Sequence, residues 1–221
     1  MNNNIIKDEG FLDGPHGFFR DLGRVFEIVW DFWNGFNKLR GIGPCVTVFG
    51  SARFKEGDRY YDLAREIGKK LGEEGYAVMT GGGPGVMEAA NRGAFEAGAK
   101  SIGCNIVLPQ EQHLNPYTNI SIEFDFFFIR KVMLVKYSHA FVMMPGGFGT
   151  MDEMFETLTL IQTGTIKNFP VIAFGSDYWD ELRPFAEKSL LKYKTINRED
   201  LDLVKVTDDI DELIEIINTY V

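Results

Sequence analysis

From residue 45 onward, short apolar runs alternate with amphipathic helical stretches, and no other feature of the chain constrains its fold as tightly. The apolar runs lie at 45–50, 76–80, 102–107, 120–125, 140–144, 171–174 and 203–206. Helical periodicity fills the intervals: 58–74 (through Tyr61, Ala64, Ile67 and Leu71), 86–97, 128–137, the 145–150 loop to about 162, 178–191 and 210–218. Strands separated by helices in this way join through right-handed crossovers into a parallel sheet. The runs are apolar throughout, as strands covered on both faces require. The expectation is a single doubly wound α/β domain over residues 45–221, with helices on both faces of the sheet.

Residues 1–16 are a polar lead containing Gly and Pro, with no clear periodicity. Over 17–40 the pattern is helical, and Leu22, Val25, Phe26, Val29, Trp33 and Phe36 share one face. Arg20, Arg24, Asp31 and Lys38 intersperse this stripe. Mixed charge is a poor match to a membrane-surface helix, which wants a basic polar face. The expectation is a helix packed on the core or across a dimer interface. Gly41-Ile42-Gly43-Pro44 ends it, dividing the chain into an N-terminal lead and helix (1–44) and the α/β domain.

The 221 residues carry 32 acidic and 23 basic side chains, a formal net charge of -9. A chain this acidic lacks the basic face that long polyanions need, so no nucleic-acid polymer is expected as partner. A small phosphorylated ligand stays open, because a few backbone N–H groups can hold it. Cys45 and Cys104 both fall in strand-like runs without a spacing motif, which argues against a disulfide scaffold or zinc cluster. The polar start Met1-Asn2-Asn3-Asn4 does not read as a signal peptide, and no run is long enough for a membrane helix. A cytoplasmic location without membrane partners is the expectation.

In a doubly wound sheet, ligands bind beyond the carboxyl ends of the strands, where the strand order reverses. Three strand exits stand out: Gly50-Ser51, Gly81-Gly82-Gly83-Pro84-Gly85, and Pro145-Gly146-Gly147-Phe148-Gly149-Thr150. Glycine lets backbone N–H groups approach an anion, and a helix N-terminus adds unpaired donors and partial positive charge. Neither Gly-rich loop has the dinucleotide spacing or the Gly-Lys-Ser/Thr of a Walker loop. Together they point to phosphate binding. Asp152 and Glu153 follow in the first helical turn, where acidic side chains also complement the helix dipole. Glu153 comes three residues after Thr150, so it can face the same cleft and aim at ribose hydroxyls or a water near the anomeric carbon. Arg130-Lys131, before the strand feeding this loop, can neutralise the ligand or stabilise a leaving group.

Gly81-Gly82-Gly83-Pro84-Gly85-Val86-Met87-Glu88, Arg130-Lys131 and Pro145-Gly146-Gly147-Phe148-Gly149-Thr150-Met151-Asp152-Glu153 together resemble the LONELY GUY (LOG) family. Its hallmark is PGGxGTxxE with an upstream Arg-Lys pair. The similarity runs from about residue 45 to 175 and includes Val48-Phe49-Gly50-Ser51. It implies a Rossmann-like fold and a phosphoribohydrolase that releases free base and ribose 5-phosphate from adenine-type nucleoside 5′-monophosphates. AMP and cytokinin riboside monophosphates are the substrates it suggests, with no cofactor or metal and a homodimer as the assembly. An older label for the family, "possible lysine decarboxylase", has no support in a pyridoxal-phosphate lysine. The one lysine beside a motif is Lys131, which the family pattern already explains.

The resemblance implies that Arg130 and Glu153 are the catalytic pair. It further implies that Gly146, Gly147, Gly149 and Thr150 hold the phosphate, and that Ser51, Gly82, Gly83, Glu88 and Lys131 line the pocket. Phe127 stands where plant members often have Met, so it is expected to pack against the base. The alternative is a non-catalytic carrier or sensor of a phosphorylated small molecule, like the molybdenum-cofactor carriers. A carrier needs the phosphate cradle but no carboxylate beside the anomeric carbon. His16, His113 and His139 are unclustered and read as structural or surface residues. Residues 108–117 read as a polar loop, either part of a lid or plain surface.

Overall fold

The computed structural model describes residues 7–15, 17–106, 114–167 and 169–220. Two helices come first, α1 (Lys7–Leu12) and α2 (Phe18–Leu39). Strands and helices then alternate: β1 (Cys45–Phe49), α3 (Arg59–Glu73), β2 (Ala77–Thr80), α4 (Val86–Glu96), β3 (Ser101–Ile106) and β4 (Ile120–Phe124). After these come α5 (Phe127–Lys136), β5 (Ala140–Met143), α6 (Phe148–Gln162), β6 (Val171–Phe174), α7 (Ser176–Trp179), α8 (Leu182–Phe185), β7 (Val204–Thr207) and α9 (Ile210–Tyr220).

The seven strands form one parallel sheet in the order β4-β3-β2-β1-β5-β6-β7. The chain builds outward from β1 to one edge, returns to β5 beside β1, and builds outward again. The reversal therefore lies between β1 and β5, whose register pairs Val46 with Ala140 and Phe49 with Met143. Successive β1 residues face opposite sides. Cys45 and Phe49 join the core under α2, α5 and α6, whereas Val46 and Val48 join the core under α3, α4 and α9. Both cysteines are buried free thiols, as their place in apolar strands suggested.

Three expectations need correction. Residues 7–12 of the lead form α1. The helix expected over 178–191 is broken into α7, α8 and a π-helical turn at Ala186–Leu191. Pro184 lies within this segment, and its missing N–H and fixed ring disrupt a continuous α-helical ladder. The third correction concerns α2. Its docked side carries Ile28, Asp31, Phe32, Gly35 and Leu39, whereas most of the expected stripe, Leu22, Val25, Phe26, Val29 and Trp33, faces outward. Asp31 is buried and accepts from the backbone N–H groups of Asp125 and Phe126 at 3.1 and 3.3 Å, tying α2 to the start of α5. A Cβ on Gly35 would lie 3.0 Å from Met133 and Phe124, so glycine permits this close approach. Of the two expectations for this helix, packing on the core holds for the opposite face, because hydrophobic period alone does not say which of two apolar faces is docked.

Candidate active site

A cleft of about 770 Å³ opens at the β1/β5 reversal. Its walls come from three strand exits: residues 50–54 after β1, Gly81 after β2, and residues 145–151 leading into α6. Backbone bonds strap these exits together. Ser51 N–H donates to the Pro145 carbonyl and Val86 N–H to the Ser51 carbonyl, both at 3.0 Å. Gly85 makes the second strap possible: its φ is +72°, and a Cβ there would lie 2.4 Å from the Ser51 carbonyl oxygen.

Gly147 is the N-cap of α6, and the N–H groups of Thr150 and Met151 bond to its carbonyl at 3.1 Å. The first N–H groups of a helix have no intrahelical acceptor, so this end offers donors and partial positive charge to the cleft. The Tyr178 hydroxyl donates to the Gly146 carbonyl and holds the loop from the far side. Tyr178 belongs to no motif in the sequence. It lines the cleft because α7 follows β6, the neighbour of β5.

Arg130 and Glu153 meet at the floor. Arg130 Nη1 lies 3.7 Å from Glu153 Oε1, with the glutamate side chain buried and the arginine nearly so, 4% and 11% accessible. Arg130 Nε donates to the Cys104 carbonyl at 2.8 Å, and its guanidinium stands 5.6 Å from the centroid of the Phe127 ring. Burial pushes the arginine below its ordinary pKa. The Glu153 carboxyl, desolvated by burial and only partly compensated by Arg130 and Lys131, is pushed up to about 7. Neither carboxyl oxygen has a hydrogen-bond partner. A buried acceptor left in this way is costly, and such sites are where ligand groups or waters are held.

Ser51, Phe127, Arg130, Gly146, Gly147, Gly149, Thr150 and Glu153 all line the cleft. Gly82, Gly83, Glu88 and Lys131 stand behind or beside it. Gly82 and Gly83 are buried, with their carbonyls held by the Asn115 N–H at 3.0 Å and Asn115 Nδ2 at 3.3 Å. Glu88 accepts from the Tyr61 hydroxyl at 2.9 Å and lines an adjoining hollow. Lys131 pairs with Asp152 at 2.9 Å and Glu156 at 2.6 Å, which ties α5 to α6. Of these partners Asp152 lies within the second motif, whereas Tyr61, Asn115 and Glu156 lie outside the motifs. Of the 108–117 loop, residues 108–113 lie outside the described part, and Asn115 is a buried structural link. His139 accepts from the Cys45 N–H through Nδ1 at 3.2 Å, a structural role, while His16 and His113 lie outside the described residues.

A second hollow, between α6 and the β6–β7 connection, is lined mostly by apolar side chains such as Phe155, Leu158, Trp179 and Leu203. The start of the short α8, Leu182 and Arg183, also lines it, and its lining holds no counterpart of the buried Arg130–Glu153 pair. Among the described residues there is no cluster of His, Cys, Asp and Glu able to hold a metal ion. No helix among them is long and apolar enough to cross a membrane.

Comparison with known proteins gives the family and the fold. The sequence model of the family described as "Possible lysine decarboxylase" matches residues 87–217, more than half of the chain. The rice protein "Cytokinin riboside 5'-monophosphate phosphoribohydrolase LOG" (Oryza sativa subsp. japonica) is 30% identical over 150 residues. That match takes in 66% of this chain and 60% of the rice protein. The "Probable cytokinin riboside 5'-monophosphate phosphoribohydrolase LOG6" of Arabidopsis thaliana is 31% identical over 151 residues, 66% of this chain and 73% of its own. Among solved structures, TM1055 superposes with a TM-score of 0.61 at 26% identity, covering 80% of this chain and 99% of that one. The molybdenum cofactor binding protein of Rippkaea orientalis also gives 0.61, at 23% identity over 80% and 96% of the two chains, a likeness of fold alone.

Proposed function

The chain belongs to the LOG family, whose sequence model carries the description "Possible lysine decarboxylase", and from that premise we propose that it hydrolyses the N-glycosidic bond of purine nucleoside 5′-monophosphates, AMP among them. The observation that carries this reading is the Arg130–Glu153 ion pair, with neither carboxyl oxygen hydrogen-bonded, in the cleft that also receives the N-terminus of α6. The α6 N-terminus, with Gly146, Gly147, Gly149 and Thr150, takes the 5′-phosphate, and Ser51 bounds the same pocket. Phosphate held there leaves the ribose over Glu153 and the base toward Phe127 and Arg130.

Breaking the C1′–N9 bond sends its electron pair to the base and leaves an oxocarbenium-like ribosyl group. An ionised Glu153 stabilises that positive charge and accepts a proton from the water that adds at C1′. Arg130 offsets negative charge on the departing base, and the proton that Glu153 takes from water passes on to a base nitrogen, which restores the carboxylate. The products are free base and ribose 5-phosphate. Phe127 forms the base-side wall and stacks with the Arg130 guanidinium. Lys131 and Glu88 act through their partners, Lys131 by fixing α5 against α6 and Glu88 by fixing α4 against Tyr61.

A carrier of a phosphorylated cofactor needs the cradle but has no use for a desolvated carboxylate beside the sugar. The likeness to molybdenum-cofactor proteins, at 23% and 24% identity, is one of fold and does not favour that reading. The test is to incubate the protein with AMP, without added metal, and separate the products by chromatography. Equal amounts of adenine and ribose 5-phosphate are expected. AMP that binds and stays intact would replace the hydrolase with a carrier or sensor.

A further inference from the structure

Among the described residues, three charged side chains line the cleft: Arg130, Glu153 and Arg53. Arg130 and Glu153 face each other at 3.7 Å and cancel in net charge. Arg53 has no such counterpart. It is exposed on the wall formed by residues 50–54, and among the described residues no ion pair or hydrogen bond engages its guanidinium.

The backbone beneath it is fixed. Arg53 N–H donates to Ser51 Oγ at 3.1 Å, and Ser51 is itself strapped to Pro145 and Val86 at 3.0 Å. The next residue, Phe54, packs its ring 5.7 Å from that of Tyr60. An adjoining hollow, which Arg53 also lines, holds two carboxylates able to draw it out of the cleft. Both have other partners: Glu56 pairs with Arg92 at 2.9 Å, and Glu88 accepts from the Tyr61 hydroxyl at 2.9 Å. The cleft wall thus carries an uncommitted cation on a rigid base.

Charge decides what that cation meets. A phosphate monoester carries about −1.5 to −2 at neutral pH. The N-terminus of α6 returns about half a positive charge, and the Arg130–Glu153 pair adds none in net. Lys131 is held by Asp152 and Glu156. A phosphate in the cleft therefore keeps about one or more uncompensated negative charges, and Arg53 is the charged wall residue left to meet them. Its planar guanidinium can donate two parallel N–H bonds to phosphate oxygens. We propose that Arg53 is a phosphate-binding, specificity-determining residue: it closes over a phosphate seated at the α6 N-terminus and makes the cleft choose phosphorylated ligands over their unphosphorylated counterparts. This role rests on the reading of that N-terminus as the phosphate site, and does not require that the ligand be hydrolysed.

The experiment measures binding of ribose 5-phosphate and of adenosine, by calorimetry, to wild type, Arg53→Met and Arg53→Lys. Arg53 is exposed, so all three are expected to share one circular dichroism spectrum and melting temperature. Arg53→Met is expected to bind ribose 5-phosphate about 10- to 100-fold more weakly, the range of a charge-assisted hydrogen bond, while adenosine binds all three alike. Arg53→Lys, which keeps the charge but loses the fork, falls between. Added salt is expected to weaken ribose 5-phosphate binding more steeply in wild type than in Arg53→Met. With AMP as substrate the loss falls on KM rather than kcat, since the phosphate charge is the same in the ground state and the transition state. Folded Arg53→Met that binds ribose 5-phosphate as wild type does, with the same salt dependence, overturns the role of Arg53 and leaves the hydrolase reading in place. Wild type that binds ribose 5-phosphate through Arg53 yet leaves AMP intact upholds the role and removes the hydrolase.

Discussion

The Arg130 guanidinium stands 3.7 Å from the Glu153 carboxylate, and the pair is buried at the base of a cleft whose rim is a helix N-terminus. Burial works against both charges, lowering the arginine pKa and raising the carboxyl to about 7. The pair is thus held near the point where the carboxyl changes charge, and a ligand cation in the making would tip it.

The first prediction follows from that balance. Glu153 must be ionised to stabilise an oxocarbenium-like sugar, so kcat/KM for AMP rises with pH and levels off above about 7. A pH–rate profile from 5 to 9 measures it. A flat profile through 7 would remove Glu153 from the charged role.

The same group makes stability depend on pH. Its pKa in the fold lies above the ordinary 4.5, so between 4.5 and about 7 the folded state keeps a proton that the unfolded state has released. Stability therefore falls as pH rises through that window and the loss is complete above it. Glu153→Gln, which mimics the neutral carboxyl, is expected to be more stable than wild type by about 3 kcal/mol at pH 8 and nearly equal to it at pH 4. Denaturant unfolding at the two pH values checks the difference.

Adjacent glycines at the α6 N-terminus separate binding from folding. A Cβ on Gly147 meets nothing within 4 Å, so Gly147→Val is expected to fold normally while projecting into the proposed phosphate position. A Cβ on Gly146 would lie 2.1 Å from Thr150 Oγ1, so Gly146→Ala strains the loop itself. Calorimetry is expected to show AMP binding lost in Gly147→Val with its melting temperature unchanged, and the melting temperature lowered in Gly146→Ala.

Phe127 tests the base side. Removing its ring is expected to raise KM for AMP about tenfold, the order of an aromatic contact, while inhibition by ribose 5-phosphate stays the same. Equal loss for both ligands would place Phe127 on the phosphate side or in the fold alone.

The doubly wound sheet was legible because each strand is a short apolar run and each crossover a helical period, signals that local sequence carries in full. The Gly146–Glu153 segment was legible because its loop and the first turn of α6 are contiguous, so spacing alone brings the helix N-terminus and the carboxylate to one cleft. Tyr178 was not, since it reaches Gly146 only through the adjacency of β5 and β6. Glu88 and Lys131 sit in recognisable motifs, yet their partners Tyr61, Asp152 and Glu156 turn them away from the cleft. The stripe on α2 was visible, but its direction was not. Gly35 and a buried Asp31 selected the opposite face for docking, and neither is apolar enough to register in a hydrophobic pattern.

The most direct test of the central claim is a single-turnover comparison of wild type and Glu153→Gln with AMP, following adenine release and AMP affinity together. Release is expected to slow by roughly 100- to 1,000-fold, the usual cost of removing one transition-state electrostatic contact, with affinity within about threefold of wild type because the phosphate cradle is untouched. Adenine release at the wild-type rate from the Gln variant would contradict the assignment of the chemistry to this pair.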